Sequence, residues 1–238
     1  RVSVVASETV KRVALELGGK SANVILPDAD LSKAVKLGMG NAWINGGQTC
    51  TAWTRMLVPA DKQDEILEMV EAAAAKYTVG DPAEETTRIG PMSSESQRQR
   101  VHGYIERGII DRARVVFGGA GQVEGMESGA YVRPTVFADV APDAVIAREE
   151  IFGPVLSVIP YRDEEQAVAI ANDTGVRRGR PRARGGPPDP GRADRRQWRR
   201  LQHHGALRWL QAVGQRPRAG PLRAGGVPGD QGHPALTG

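Results

Sequence analysis

Short apolar runs and longer amphipathic stretches alternate from the start of the chain to residue 174, after which the period disappears. VALEL (13–17) and NVIL (23–26) are compact apolar runs beside glycine or Pro-Asp, a pattern that predicts buried strands. MLVP (56–59) reads as the end of another strand, and RVVF (114–117), VRPTVFADV (132–140) and PVLSVIPY (154–161) as three more. Pro134 marks an edge or an irregularity, because proline has no N–H to give to a ladder. Asp30 is placed to cap a helix over 31–44, with Ala34, Val35, Leu37, Gly38, Met39 and Ala42 towards the core. Asp61 is placed to cap the next helix, where Ile66, Leu67, Val70, Ala73, Ala74 and Tyr77 keep helical spacing until Gly80-Asp81-Pro82. A polar helix is predicted over 94–111 and a final one over 163–173. This alternation predicts an α/β fold with helices packed against a mostly parallel sheet.

Composition sharpens the picture in two places. The chain has 238 residues, enough for one large domain or two small ones, and is 40% hydrophobic, as globular proteins are. No apolar run approaches the roughly 20 residues of a spanning helix, so no membrane role is expected. One cysteine excludes a disulfide framework and suits a reducing compartment, so a cytoplasmic location is expected. The chain opens without Met, which leaves its natural beginning open.

The formal charge of +4 conceals a division. Residues 175–238 hold 14 Arg and 3 Asp but no Lys or Glu, so the rest of the chain is acidic. The same stretch has 13 Gly and 8 Pro and no sustained apolar period, so it cannot bury enough surface to offset its ordering entropy. It is expected to be disordered. A basic arm of this kind can bind nucleic acid through phosphates, with Trp198 and Trp209 stacking on bases. It lacks any recurring unit of that sort, however, and no nucleic-acid partner is expected.

Two glycine-marked motifs carry the candidate chemistry. Cys50 lies in NGGQTCTAWTR (45–55), between a predicted helix and a predicted strand. Taken alone, a free cysteine reads as a small buried hydrophobe. Gly46-Gly47-Gln48 permits an unusual backbone and close ligand approach, which favours a reactive thiol. Glu16 lies in VALELGGKS (13–21), at the end of a predicted buried strand where a carboxylate is costly unless paired or protonated. It reads equally as the solvent-facing residue of an alternating strand. Gly18-Gly19 lets another backbone or a cofactor come close. His102 is expected at the surface of its polar helix, and GGAGQ (118–122) lacks a P-loop Lys-Ser/Thr and reads as a turn. No CxxC or HExxH is present, so no metal site is indicated.

The two motifs, in this order, resemble those of the NAD(P)-dependent aldehyde dehydrogenase superfamily. A third, REEIFGPVLSVIPY (148–161), resembles that family's E-x-F-G-P segment, and ADLSKAV (29–35) and the segment 129–137 resemble structural ones. The resemblance covers residues 1 to about 174. It implies a three-layer α/β catalytic domain over 17–174, with 1–16 as the end of a coenzyme-binding domain. It implies Cys50 as nucleophile and Glu16 as general base. It implies Leu17 and Gly18 beside the nicotinamide, Glu150 on its ribose and Phe152 against its ring. NAD or NADP, an aldehyde substrate and a homo-oligomer are implied with them.

Resemblance also bears on the tail. Its Arg, Gly, Pro and Ala have GC-rich codons, and a one-base shift over 204–214 permits MAPFGGFKQS. The same shift over 175–179 permits EYGVA, and both strings are family-like. Residues 175–238 therefore read as an out-of-frame translation, with a native final strand lost and a sheet edge uncovered.

Overall fold

The computed structural model describes residues 2–14, 16–174 and 211–212. In chain order it holds α1 (Val2–Ser7), β1 (Ala22–Val24), α2 (Leu31–Ala42), β2 (Arg55–Pro59), α3 (Gln63–Ala74) and α4 (Glu95–Ile110). There follow β3 (Arg114–Phe117), β4 (Thr135–Ala138), α5 (Val145–Arg148), β5 (Val155–Tyr161), α6 (Glu164–Asn172) and β6 (Gln211–Ala212). The strands form one sheet in the order β3-β4-β5-β2-β1-β6. Every pairing is parallel except that of β3 with β4.

Strand alternation sorts the core into two faces. Met56 and Val58 of β2 join Leu156 and Val158 of β5 under α2 and α3. Leu57, Val155 and Ile159 point the other way, under α4, α5 and α6. The sheet is thus the middle of three layers, and its central strands read as unbroken apolar runs because both faces are covered.

Two aspartate caps act through their side chains, only the first of them predicted, and a further predicted cap does not form. Asp30 accepts from the Lys33 N–H at 3.0 Å, and Asp163 from the Gln166 N–H at 2.8 Å. Asp61 does not cap α3: it lies inside a 3-10 turn, Ala60–Lys62, that leads into the helix. Leu37 is 41% exposed rather than core-facing, because Ala34, Val35, Gly38, Met39 and Ala42 already make up the buried stripe of α2. Tyr77 lies beyond the end of α3, half-buried and edge-on to Trp43 at 5.0 Å. β4 starts one residue after Pro134, and its ladder with β3 slips between Val115 and Phe117.

The strand expected over 13–17 is not formed at its described residues, and Glu16 and Leu17 are exposed. The run has strand-like apolarity but no backbone beside it: β1 is flanked by β2 and β6. On the outer side of β1, Gln211–Ala212 pair with Asn23 and Val24. The remaining residues of 175–238, and the disorder expected of them, lie outside the described residues. No described helix is long and apolar enough to cross a membrane.

Candidate active site

The candidate residues gather at the amino ends of β1, β2 and β5. The turn before Cys50 carries three successive left-handed residues, Asn45 (φ 52°), Gly46 (φ 62°) and Gly47 (φ 74°). Asparagine and glycine tolerate that region best, which is why this short sequence makes this turn. Asn45 Nδ2 donates to the Gln48 carbonyl at 3.1 Å, and Gln48 Nε2 donates back to the Asn45 carbonyl at 3.3 Å. Gln48 Oε1 accepts from the Ser93 N–H at 2.8 Å, and the Ala52 N–H donates to the Thr49 carbonyl at 3.0 Å. Cys50 is thereby presented on a braced turn as an exposed free thiol.

Glycines mark where the three motifs touch. A Cβ at Gly47 would lie 2.1 Å from the Gly153 carbonyl oxygen, so the Cys50 turn packs backbone to backbone on the 150–153 segment. A Cβ at Gly18 would lie 1.7 Å from Oε2 of Glu150. At Gly19 the nearest atom is the Cys50 carbonyl oxygen, 3.9 Å away. Around these contacts Glu16 and Leu17 are exposed, Leu17 at 71%, and Phe152 is 36% exposed with φ 60°. No hydrogen bond joins Glu16 to Cys50. The exposure of Glu16 removes the desolvation argued for it from a buried strand.

Helix α4 holds the 149–152 segment, a role with little sign in its sequence. Gln97 Nε2 donates to the carbonyls of Ile151 and Phe152 at 3.1 and 2.8 Å. An Arg100 terminal nitrogen donates to the Glu150 carbonyl and to the Tyr104 hydroxyl, each at 3.1 Å. The Tyr104 hydroxyl in turn donates to Glu149 at 2.6 Å, and burial followed by that carboxylate raises the phenol's pKa. Gln97, Arg100 and Tyr104 recur at helical spacing, so the polar face of α4 is a docking face. That periodicity was the available signal, but polar residues read by default as solvated. His102 on the same helix is half-buried rather than at the surface, with burial lowering its pKa.

Two buried cations lie behind the motifs. Arg55 donates from Nε to the Lys20 carbonyl at 2.9 Å, and from its terminal nitrogens to Ile170 and Ala171 at 2.8 and 2.9 Å. Burial lowers its pKa to about 10 against the pull of Asp173. Lys20 is 3% exposed and its Nζ has no hydrogen-bond partner among the described residues. Burial, then Arg55, bring its pKa down to about 7, with Glu150 opposing.

The Aldehyde dehydrogenase family profile matches residues 1–178, and the chain belongs to that family. It is 50% identical over 173 residues to a 3-succinoylsemialdehyde-pyridine dehydrogenase of a Pseudomonas species, covering 73% of this chain and 36% of that protein. It is 46% identical over 169 residues to a putative aldehyde dehydrogenase of Staphylococcus haemolyticus, covering 71% and 36%. Among solved structures, it resembles a cysteine-to-alanine mutant of aldehyde dehydrogenase C from Pseudomonas syringae, complexed with NAD+ and octanal. That match has a TM-score of 0.70 at 50% identity, over 73% of this chain and 36% of the other. The Mycobacterium tuberculosis aldehyde dehydrogenase, complexed with NAD+, matches with a TM-score of 0.70 at 48% identity and the same coverage. The chain thus spans about a third of the length of these relatives.

Proposed function

We propose that residues 17–174 are the catalytic domain of an NAD- or NADP-dependent aldehyde dehydrogenase, that residues 1–16 end its coenzyme-binding domain, and that 175–238 are translated out of frame. The observation that carries the catalytic reading is the meeting of three motifs, through Gly18 on Glu150, Gly19 on Cys50 and Gly47 on Gly153. Gly18 and Gly47 leave no room for a Cβ at their contacts and Gly19 lies beside the Cys50 carbonyl at ordinary contact distance, which supports reading the three segments as one site.

In this reading the Cys50 thiolate attacks the aldehyde carbon, making a C–S bond and a thiohemiacetal. The Cys50 backbone N–H is a donor for the oxyanion that develops. The nicotinamide coenzyme, when bound, supplies the acceptor for the hydride that leaves this adduct, and a thioester remains on Cys50. Glu16 takes a proton from water as the water attacks that thioester, and Cys50 departs as the acid forms. Exposure of Glu16 leaves it open to that water.

The residues present fit the coenzyme. Gly18 adds no side chain of its own, although the Glu150 carboxylate lies over it and has to move for a ring to enter, and the exposed Leu17 and Phe152 offer apolar surface to a flat ring. Oε1 of Glu150 is buried and unpartnered, an acceptor free for ribose hydroxyls. A homo-oligomer is the expected assembly of the whole enzyme, and an aldehyde its substrate. The 238-residue chain by itself is expected to be inactive, because too little of it is available to position the coenzyme. The test is a chimera in which residues 2–174 replace the matching segment of the Pseudomonas syringae enzyme. It should reduce NAD+ in the presence of octanal and lose that activity in Cys50→Ala; a folded chimera inactive towards a panel of aldehydes with either coenzyme overturns the reading.

A further inference from the structure

Two buried side-chain atoms lie without hydrogen-bond partners among the described residues: Nζ of Lys20, a potential donor, and Oε1 of Glu150, an acceptor. Burial without a partner is strongly unfavourable for either charge. The charged groups acting on Lys20 are Arg55 from β2, which repels its ammonium, and Glu150 from the segment before β5, which attracts it. Arg55 is committed elsewhere, to the carbonyls of Lys20, Ile170 and Ala171. Lys20 is thus a buried amine with no acceptor of its own among the described residues.

The carboxylate of Glu150 is meanwhile spread over Gly18, with Oε2 1.7 Å from where a Cβ would stand. That is the open face of Gly18, where the proposed function places the nicotinamide. The carboxylate and a ring cannot share it. A carboxylate that leaves Gly18 needs a new partner, and Lys20, two residues along the same segment, is the buried ammonium without one.

We propose that Lys20 is a positioning residue for Glu150: the carboxylate has two seats, one over Gly18 and one on the Lys20 ammonium, and Lys20 receives it whenever Gly18 is cleared. Only the identity of what clears Gly18 rests on the dehydrogenase reading. The neutral amine suits the first seat and the ammonium the second. Near neutral pH the move therefore draws one proton from solvent onto Nζ, and no other bond is made or broken.

The experiment follows the Lys20 side chain by NMR in the lysine-labelled 238-residue chain, with its signal assigned by loss in Lys20→Met. Gly18→Ala places a methyl group where Oε2 lies and sends the carboxylate to Lys20. The Lys20 titration midpoint should rise by about one pH unit, the effect of an opposite charge brought into contact. The rise should vanish in Gly18→Ala/Glu150→Gln, and Glu150→Gln alone should lower the midpoint below that of the unmodified chain. A lysine that merely fills space predicts no rise in Gly18→Ala. No rise, or a rise that survives in the double variant, overturns the proposal. If Gly18→Ala unfolds the chain, Glu150→Gln alone decides: a lowered midpoint supports the pair and an unchanged one overturns it. No coenzyme or aldehyde is present, so this result stands apart from that of the chimera.

Discussion

Arg55 Nε donates to the Lys20 carbonyl at 2.9 Å, tying the segment that follows Glu16 to the strand that follows Cys50. The same guanidinium closes the carboxyl end of α6 through the carbonyls of Ile170 and Ala171. One buried side chain therefore joins three sequence-distant pieces. Arg55→Met leaves those acceptors short of a donor, and hydrogen bonds to charged groups contribute about 1.5–3 kcal/mol each. A loss of about 3 kcal/mol is expected in urea unfolding, and Arg55→Lys should recover only part of it, because an ammonium lacks the planar fork.

Lys20 gives the stability of the chain a predictable pH dependence. Its folded pKa is lowered from 10.5 to about 7, first by burial and then by Arg55. Between those values the unfolded chain holds a proton that the folded chain lacks, so stability rises with pH from about 7 to about 10, by as much as about 4 kcal/mol. Tyr161, whose hydroxyl donates to the Ile25 carbonyl, has its pKa pushed up to about 12, first by burial. Above its ordinary value the unfolded chain loses the phenolic proton first, so this group turns the curve down again. Urea midpoints across this range should show the rise, and Lys20→Met should flatten it; an equally steep rise in Lys20→Met refutes the assignment.

The Asp30 cap, the Gly46-Gly47 turn and the buried runs of β2 and β5 were readable because one local cause fixes each of them. What escaped depends on partners distant in sequence. The apolarity of VALEL is equally compatible with a strand and with an exposed connection, since nothing local says whether a backbone will lie beside it. Arg55 is buried because carbonyls from other segments receive its guanidinium, Lys20 is buried with no hydrogen-bond partner among the described residues, and a charged residue in isolation reads as solvated. α5 is four residues long, too short for periodicity to reveal. The candidate residues Cys50, Glu16, Gly18, Glu150 and Phe152 could be named from their motifs, but the support that Gln97, Arg100 and Tyr104 give to the 149–152 segment could not.

Gln97 fixes the backbone on both sides of the Ile151–Phe152 peptide. Removing two neutral hydrogen bonds of about 1 kcal/mol each should loosen this segment. In the chimera, Gln97→Ala is expected to raise the KM for NAD+ by about tenfold while kcat changes much less. Equal loss in both parameters would point to global damage instead.

Gly47 combines a left-handed φ of 74° with a Gly153 carbonyl 2.1 Å from any added Cβ. Gly47→Ala thus meets backbone strain and a backbone collision together, and about 2 kcal/mol or more should be lost. Gly103→Ala is the control, since nothing lies within 4 Å of its Cβ position and the residue is inside α4. That exchange should stabilise by about 0.5–1 kcal/mol through helix propensity. Chemical unfolding of the two variants should therefore move in opposite directions.

The roles proposed for Cys50 and Glu16 separate in time. Cys50 is needed before any hydride leaves the adduct, so Cys50→Ala in the chimera should abolish both the first turnover and the steady state. Glu16 acts on water after the thioester has formed. Glu16→Gln keeps the size of the side chain but removes the base, and a positioned base contributes typically 10²–10⁴-fold. Rapid mixing with NAD+ and octanal should then show a burst of reduced coenzyme close to one per Cys50, followed by a steady rate lowered by about that factor. The trapped thioester should appear as an acyl mass on the Cys50 peptide. A burst lost together with the steady rate would place Glu16 in acylation instead, and an unchanged steady rate would remove it from the chemistry altogether.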